Sequence, residues 1–282
     1  MILRRRDCFT LLGTAVGVAA GFAAGLGTAP MLSANILRRI ERIGLQLYTV
    51  RDAMAKDVAA TLEAVAEAGY LEVETAGTGN LSAEQFSAAL GNTGLTAPSA
   101  HVMLSQMAEQ PDEVLATAET IGYRYLVLPY LTPEQRSVNG YAHVIKTLNR
   151  FGERCAGAGI QVCYHNHDFE FQSIGGELPY KLLLRECDPK FVRFELDLFW
   201  AVHAGVDPIA YLRADPERFP LCHVKDRNVA GEMVDVGQGN IDFPAMFSAG
   251  TGFKHHFVEH DRPADSLASI RHSIQAVREM RF

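Results

Sequence analysis

Residues 141–167 read YAHVIKTLNRFGERCAGAGIQVCYHNH. In the first part, apolar residues return every three or four positions, the spacing of one face of an amphipathic helix. A glycine-rich break at 157–159 follows, and then "QVCYHNH" (161–167) begins as a buried strand and ends in polar, titratable groups. The unit recurs along the chain. Strand candidates are IGLQLYTV (43–50), YLEVET (70–75), APSAHVM (97–103), RYLVLPY (124–130), QVCYHNH, VRFELDL (192–198), PLCHVKD (220–226) and HHFVEHD (255–261), with helical stretches between them and one closing the chain. Glycines at 69, 94, 122, 159 and 252 stand where helix gives way to strand, as expected of residues that accept a left-handed conformation.

Eight such repeats predict a (β/α)₈ TIM barrel in a single domain, because parallel strands need helical crossovers and eight strands close on themselves. The competing arrangement is a doubly wound open sheet, but no glycine-rich phosphate turn follows the first strand. No linker or low-complexity stretch divides residues 36–282.

The first 34 residues differ in kind. "LRRRDCF" precedes "TLLGTAVGVAAGFAAGLGTAP", uncharged and rich in small residues. This reads as a secretory signal with cleavage near Ala29 or Ala34, and Arg5 and Arg6 before Asp7 resemble a twin-arginine export signal, with Cys8 where Phe often stands. The alternative is an uncleaved membrane anchor. Export places the barrel, residues 35–282, in the periplasm, with no stable membrane partner once the signal is removed. Removing residues 1–34 leaves 23 basic and 32 acidic side chains, a net charge of −9. That balance argues against nucleic acid, which needs a basic face. Cys155, Cys163, Cys187 and Cys222 lack CxxC pairing and are expected to be buried free thiols.

In a barrel of this kind the C-terminal strand ends surround one pocket. The last four end in YHNHDFEF, ELDLFW, CHVKD and VEHD. His165, His167, Asp197, His223 and Glu259 would therefore converge, with Glu170 close behind the fifth strand. A mixed carboxylate and imidazole set without cysteine suits one divalent ion, Mn²⁺, Co²⁺, Mg²⁺ or Zn²⁺. A buried salt-bridge network with Lys225 and Arg193 is the structural alternative. Gln46, Glu74 and His101, at the ends of the first three strands, are placed to hydrogen-bond a substrate or to support those that do. Lys225 would neutralise an oxyanion or pair with an acid, and Trp200 with Phe199 would form an apolar wall or pack in the core.

Taken together, GLQLYTVRD, YHNHDFEF, ELDLFWAVHAGVDP, HVKD followed by DVGQGNIDF, and FVEHD resemble the xylose isomerase-like TIM-barrel family, in its sugar phosphate isomerase/epimerase group. The resemblance spans about residues 43–265 in motif order. It implies a metal held by Glu, Asp, His and Glu from strands five to eight, the two glutamates also moving protons. Asp197, His223 and Glu259 match the last three. Strand five instead ends in His165, as in inosose dehydratase-like members. Either His165 ligates the ion directly, or Glu170 folds back to do so and His165 and His167 serve as acid/base groups. The family's charge balance favours Glu170 as the ligand.

The resemblance implies a carbohydrate substrate whose adjacent carbonyl and hydroxyl oxygens bind the ion, so that the intervening C–H is acidified and an enediolate forms. Isomerisation and epimerisation follow from that step. A keto-sugar lyase or dehydratase, eliminating from a 3-keto-glycoside or inosose, is the alternative, because the strand-five glutamate is missing. Phosphodiester hydrolysis of the endonuclease IV type needs a more histidine-rich site, and here Trp200 stands where that site has a further histidine. A non-catalytic periplasmic sugar-binding protein is the third reading. The expected partner is a small carbohydrate, and a homo-oligomer is left open.

Overall fold

The computed structural model describes residues 37–282, so the expected export signal of residues 1–34 lies outside the described residues. All eight expected strands form: β1 Ile43–Gln46, β2 Glu72–Thr75, β3 Thr96–His101, β4 Tyr125–Leu128, β5 Gln161–His165, β6 Val192–Asp197, β7 Leu221–Val224 and β8 His255–Val258. Each pairs in parallel with its sequence neighbours, and β1 pairs with β8, which closes the barrel. A short antiparallel ribbon, Asp226–Arg227 with Met233–Val234, extends from the end of β7.

The helix Val138–Ala156 of the quoted stretch begins at Ser137, whose side chain accepts from the Gly140 N–H, and buries Tyr141, Val144, Leu148, Phe151 and Cys155. Such capping and burial of one face are what hold a helix against a sheet. Four of the five glycines expected at helix ends have positive φ: Gly69, Gly94, Gly122 and Gly159. Gly252 does not, and it serves close approach instead: a Cβ there would fall 1.8 Å from the Pro216 carbonyl oxygen.

Alternate strand residues point to opposite sides of the wall. One set packs outward against the helices in the main core, while Val127, Cys163, Leu221 and Phe257 meet inside and plug the barrel. Gly44 gives Phe257 its space, since a Cβ at that position would lie 2.4 Å from the ring. The plug decides the height of the site. Two residues beyond Cys163, Leu221 and Phe257 stand His165, His223 and Glu259, all on the inward side above an apolar floor. The four cysteines of the described residues are buried and free, as expected.

Candidate active site

Above the plug, His165, Asp197, His223 and Glu259 each offer one atom to a set lying within 4.8 Å of one another, and all four residues are buried. Their hydrogen bonds reveal which lone pairs are bare. His165 Nδ1 donates to the Pro129 carbonyl oxygen (2.9 Å), which can only accept. In its neutral form His165 therefore presents an unprotonated Nε2, 3.1 Å from Asp197 Oδ2. His223 Nε2 donates to Glu74 Oε2 (2.8 Å), which leaves Nδ1 facing Glu259 Oε2 at 2.9 Å and Asp197 Oδ2 at 3.4 Å. The 2.9 Å approach is a charge contact without hydrogen-bond alignment, and both atoms are buried with no hydrogen-bond partner. Two imidazole nitrogens and two carboxylate oxygens pointing at one another require a proton or a cation between them. The donor set fits a divalent ion of the kind bound by nitrogen and oxygen.

The local sequence fixes these groups. Asp197 ends β6 and caps the helix Leu198–His203, its Oδ1 accepting from the Trp200 N–H (2.8 Å). Asn166, fully buried, ties the end of β5 to β6: its Oδ1 accepts from the Asp197 N–H and its Nδ2 donates to the Asp197 carbonyl. Behind His223 lies a second group, the buried Glu74 and Glu195 with the partly exposed His101. Glu195 Oε2 is 3.2 Å from His223 Nε2, and neither Glu195 oxygen has a hydrogen-bond partner. The carboxylates on this side hold the proton on Nε2 and so turn Nδ1 toward the front.

Burial opposes charge on every one of these groups, and their mutual attraction overrides it. Asp197 is held well below the usual carboxylate range by Lys225 and His165, Glu74 by His101 and His223, and Glu259 by Lys225 and His223. Glu74 and Glu195 raise His101 to about 9, and Glu195, Glu259 and Asp197 raise His223 well above an ordinary histidine. His167 goes the other way: burial, with the neighbouring His165 and Lys225, lowers it far below the usual range.

The front of the set opens on a cavity of about 790 Å³, within the usual range for small-molecule sites. His101, His165, His167, Trp200, Lys225 and Glu259 all line it. His167 stacks on Phe169, with ring centroids 5.4 Å apart, and the Arg136 guanidinium covers Phe169 at 3.6 Å. Trp200 Nε1 is a buried donor without a partner.

Several expected roles change. Glu170 is not in the ligand set; it accepts from Tyr164 Oη and from the His167 N–H (2.8 Å). The reason is the pleat: Tyr164 points outward while His165 points inward, so a carboxylate bound to Tyr164 sits behind the wall. His165 instead joins the set, its Nε2 facing Asp197 Oδ2 and its Nδ1 held by the Pro129 carbonyl. Gln46 and Glu74 do not line the cavity. Gln46 Nε2 donates to Glu74 Oε2 (2.8 Å), and Gln46 Oε1 accepts from the Tyr48 N–H, so both are supports. Phe199 is buried and also absent from the cavity wall. Lys225 is drawn into an ion-pair cluster, whereas Arg193 is not among its members. Sequence reasoning missed Glu195, Asn166 and Asp261. Glu195 was legible as the residue two before Asp197 on the same face of β6.

Fold and site together define a TIM barrel with a polar, cation-accepting set at the C-terminal strand ends. The profile described as "Xylose isomerase-like TIM barrel" matches residues 62–280, and the chain belongs to that family. Among similar solved structures is a sugar phosphate isomerase/epimerase from Parabacteroides distasonis, with 26% identity, TM-score 0.72, and coverage of 83% of this chain and 93% of that one. An IOLI protein with a bound zinc atom shares the fold at 17% identity and TM-score 0.67, covering 83% and 96%. So does a probable 3-DHS dehydratase, AsbF, from Bacillus anthracis, at 13% identity and TM-score 0.66, covering 84% and 98%. No functionally curated protein matches the chain.

Proposed function

We propose that this protein is a divalent-metal-dependent carbohydrate isomerase or epimerase that removes a proton from the carbon beside a carbonyl. The observation that carries this reading is the meeting of four buried side-chain nitrogen and oxygen atoms, from His165, Asp197, His223 and Glu259, at the floor of a sugar-sized cavity. A divalent ion held there would supply Lewis acidity to a carbonyl oxygen and its neighbouring hydroxyl. The chain's own groups do the rest. Glu259 opens on the cavity and takes the proton as general base. Lys225 and His101, on the same wall, donate to the oxygen where negative charge develops. His167 is placed to carry a proton to or from the substrate. Phe169 and Trp200 offer apolar surface to a sugar ring and exclude water from it.

β-Elimination from a keto-sugar is the second reading. One observation favours it: His165 holds the place at the end of β5 where a second, opposed carboxylate base would stand. A single carboxylate base removes one α-proton, and expulsion of a β-oxygen then completes an elimination without a base on the other face. The small-carbohydrate partner, the absence of a nucleic-acid role and a periplasmic location belong to this same proposal.

The test is metal analysis with product analysis in D₂O. The metal-loaded protein should hold about one ion per chain. Glu259→Gln should lose metal affinity, with turnover down by a factor of about 10² or more. Deuterium in an otherwise intact sugar means isomerisation or epimerisation; an enone with release of water or an aglycone means elimination. Full metal occupancy and unchanged turnover in Glu259→Gln would sink the assignment.

A further inference from the structure

Two cations drawn to the same two oxygens compete for their charge and repel each other. Lys225 Nζ lies 2.7 Å from Glu259 Oε2 and 3.2 Å from Asp197 Oδ2, the oxygens that face His223 Nδ1 and His165 Nε2. The ammonium therefore stands where a divalent ion would draw its charge. Lys225 is only 2% exposed, and the small part of it that is uncovered faces the cavity rather than the outer surface. Its third carboxylate contact is different: Asp261 Oδ1, at 2.8 Å, is outside the ligand set, on the cavity wall.

The strand pattern explains why this third contact exists. His223 and Lys225 are two residues apart at the end of β7, and Glu259 and Asp261 are two apart just after β8, so both pairs face the same way. β7 and β8 are neighbours in the barrel. His223 is in register with Phe257, so its side chain reaches one inward position further along to Glu259, and Lys225 reaches Asp261 with the same offset, nearer the cavity.

We infer that Asp261 is a positioning residue that draws the Lys225 ammonium aside when a divalent ion takes Asp197 and Glu259, so that ion and ammonium share the site by exchange of partners. A divalent ion at those oxygens repels a buried ammonium a few ångströms away, and a carboxylate already in contact receives it at less desolvation cost than a more distant partner. Asp261 is in contact already, so a small side-chain shift is enough. Trp200, whose ring lies 5.9 Å from Nζ, closes the far side. The inference rests on the proposed metal site but concerns a residue outside it.

The experiment is a double-mutant cycle read by calorimetric titration of Mn²⁺ into metal-stripped full-length protein. Asp261→Asn should raise the Mn²⁺ Kd by about tenfold or more while Lys225 is present, because the ammonium then stays on the ligands. Lys225→Met should lower Kd, and adding Asp261→Asn to it should change Kd by less than about threefold, the direct effect of one nearby charge. Equal penalties for Asp261→Asn in both backgrounds would mean that Asp261 acts only through its own field, and the assignment fails while the metal reading stands. Failure of the unmutated protein to bind Mn²⁺, Co²⁺ or Zn²⁺ overturns both. Should Lys225→Met not fold, a crystal structure of the Mn²⁺-loaded unmutated protein decides. Nζ on Asp261 and withdrawn from Asp197 and Glu259 supports the exchange; Nζ still on either ligand, with the ion in place, overturns it.

Discussion

His165 and Glu170 belong to one short segment and end on opposite sides of the barrel wall, and their chemistry divides accordingly. His165 donates through Nδ1 to a backbone carbonyl and turns Nε2 toward Asp197 Oδ2, in the proposed ion site. Glu170, fully buried against Tyr164, is pushed up to about 7 by desolvation. Its folded pKa is thus above the unfolded carboxyl value of about 4.3. The folded state holds the proton more firmly, so stability falls as pH rises from about 4.3 to about 7 and is level beyond, by at most about 4 kcal/mol. Glutamine at this position can donate to Tyr164 Oη and accept from the His167 N–H. Glu170→Gln should therefore flatten that slope, gain stability above pH 7 and keep its metal. His165→Ala should lose metal affinity by at least about tenfold. Urea denaturation at pH 5 and pH 8, with metal titration of both variants, checks this; loss of metal in Glu170→Gln would return the fourth corner to Glu170.

At the scale of elements, the motif HVKD followed by DVGQGN turns out to be one object. Asp226 starts the ribbon after β7, and the following loop folds back around its carboxylate. Oδ1 accepts from the Arg227 and Ile241 N–H groups and Oδ2 from those of Gly237 and Gly239. Gly239 must be glycine, because a Cβ there would lie 2.2 Å from Asp226 Oδ1. The loop closes next to Lys225, so the carboxylate that organises it also braces the end of β7. Asp226→Ala strands four donors around a buried position and should cost at least about 2 kcal/mol in chemical denaturation. Gly239→Ala should destabilise in the same direction. Unchanged stability in both would show that the loop does not depend on Asp226. The sequence marked this motif by its resemblance; the reason for its Asp and Gly is a set of loop hydrogen bonds that spacing alone does not display.

For the whole molecule, the proposed leader and the barrel raise separate questions. Export by the twin-arginine route remains our proposal, motivated by Arg5, Arg6 and the uncharged run after them. Replacing both arginines by lysine should leave precursor in the cytoplasm, as followed by fractionation and immunoblot; unchanged periplasmic accumulation would point to another route. In the barrel, the eight strands, their parallel closure and the inward placement of His165, Asp197, His223 and Glu259 were legible from the sequence. Periodicity is a local property: alternation along a strand fixes which residues share a face, and repeated βα units fix the closure. Tertiary structure alone decided which polar groups on that inward face meet one another. Glu170 went behind the wall because Tyr164 points outward. Gln46 and Glu74 became supports because His223 and His101 reached them first across the barrel axis. Asp261 came to share Lys225 because two neighbouring strands end in step. Each of these depends on register and depth between segments far apart in the chain, set by how the interior plug packs, and no one-dimensional pattern encodes that distance.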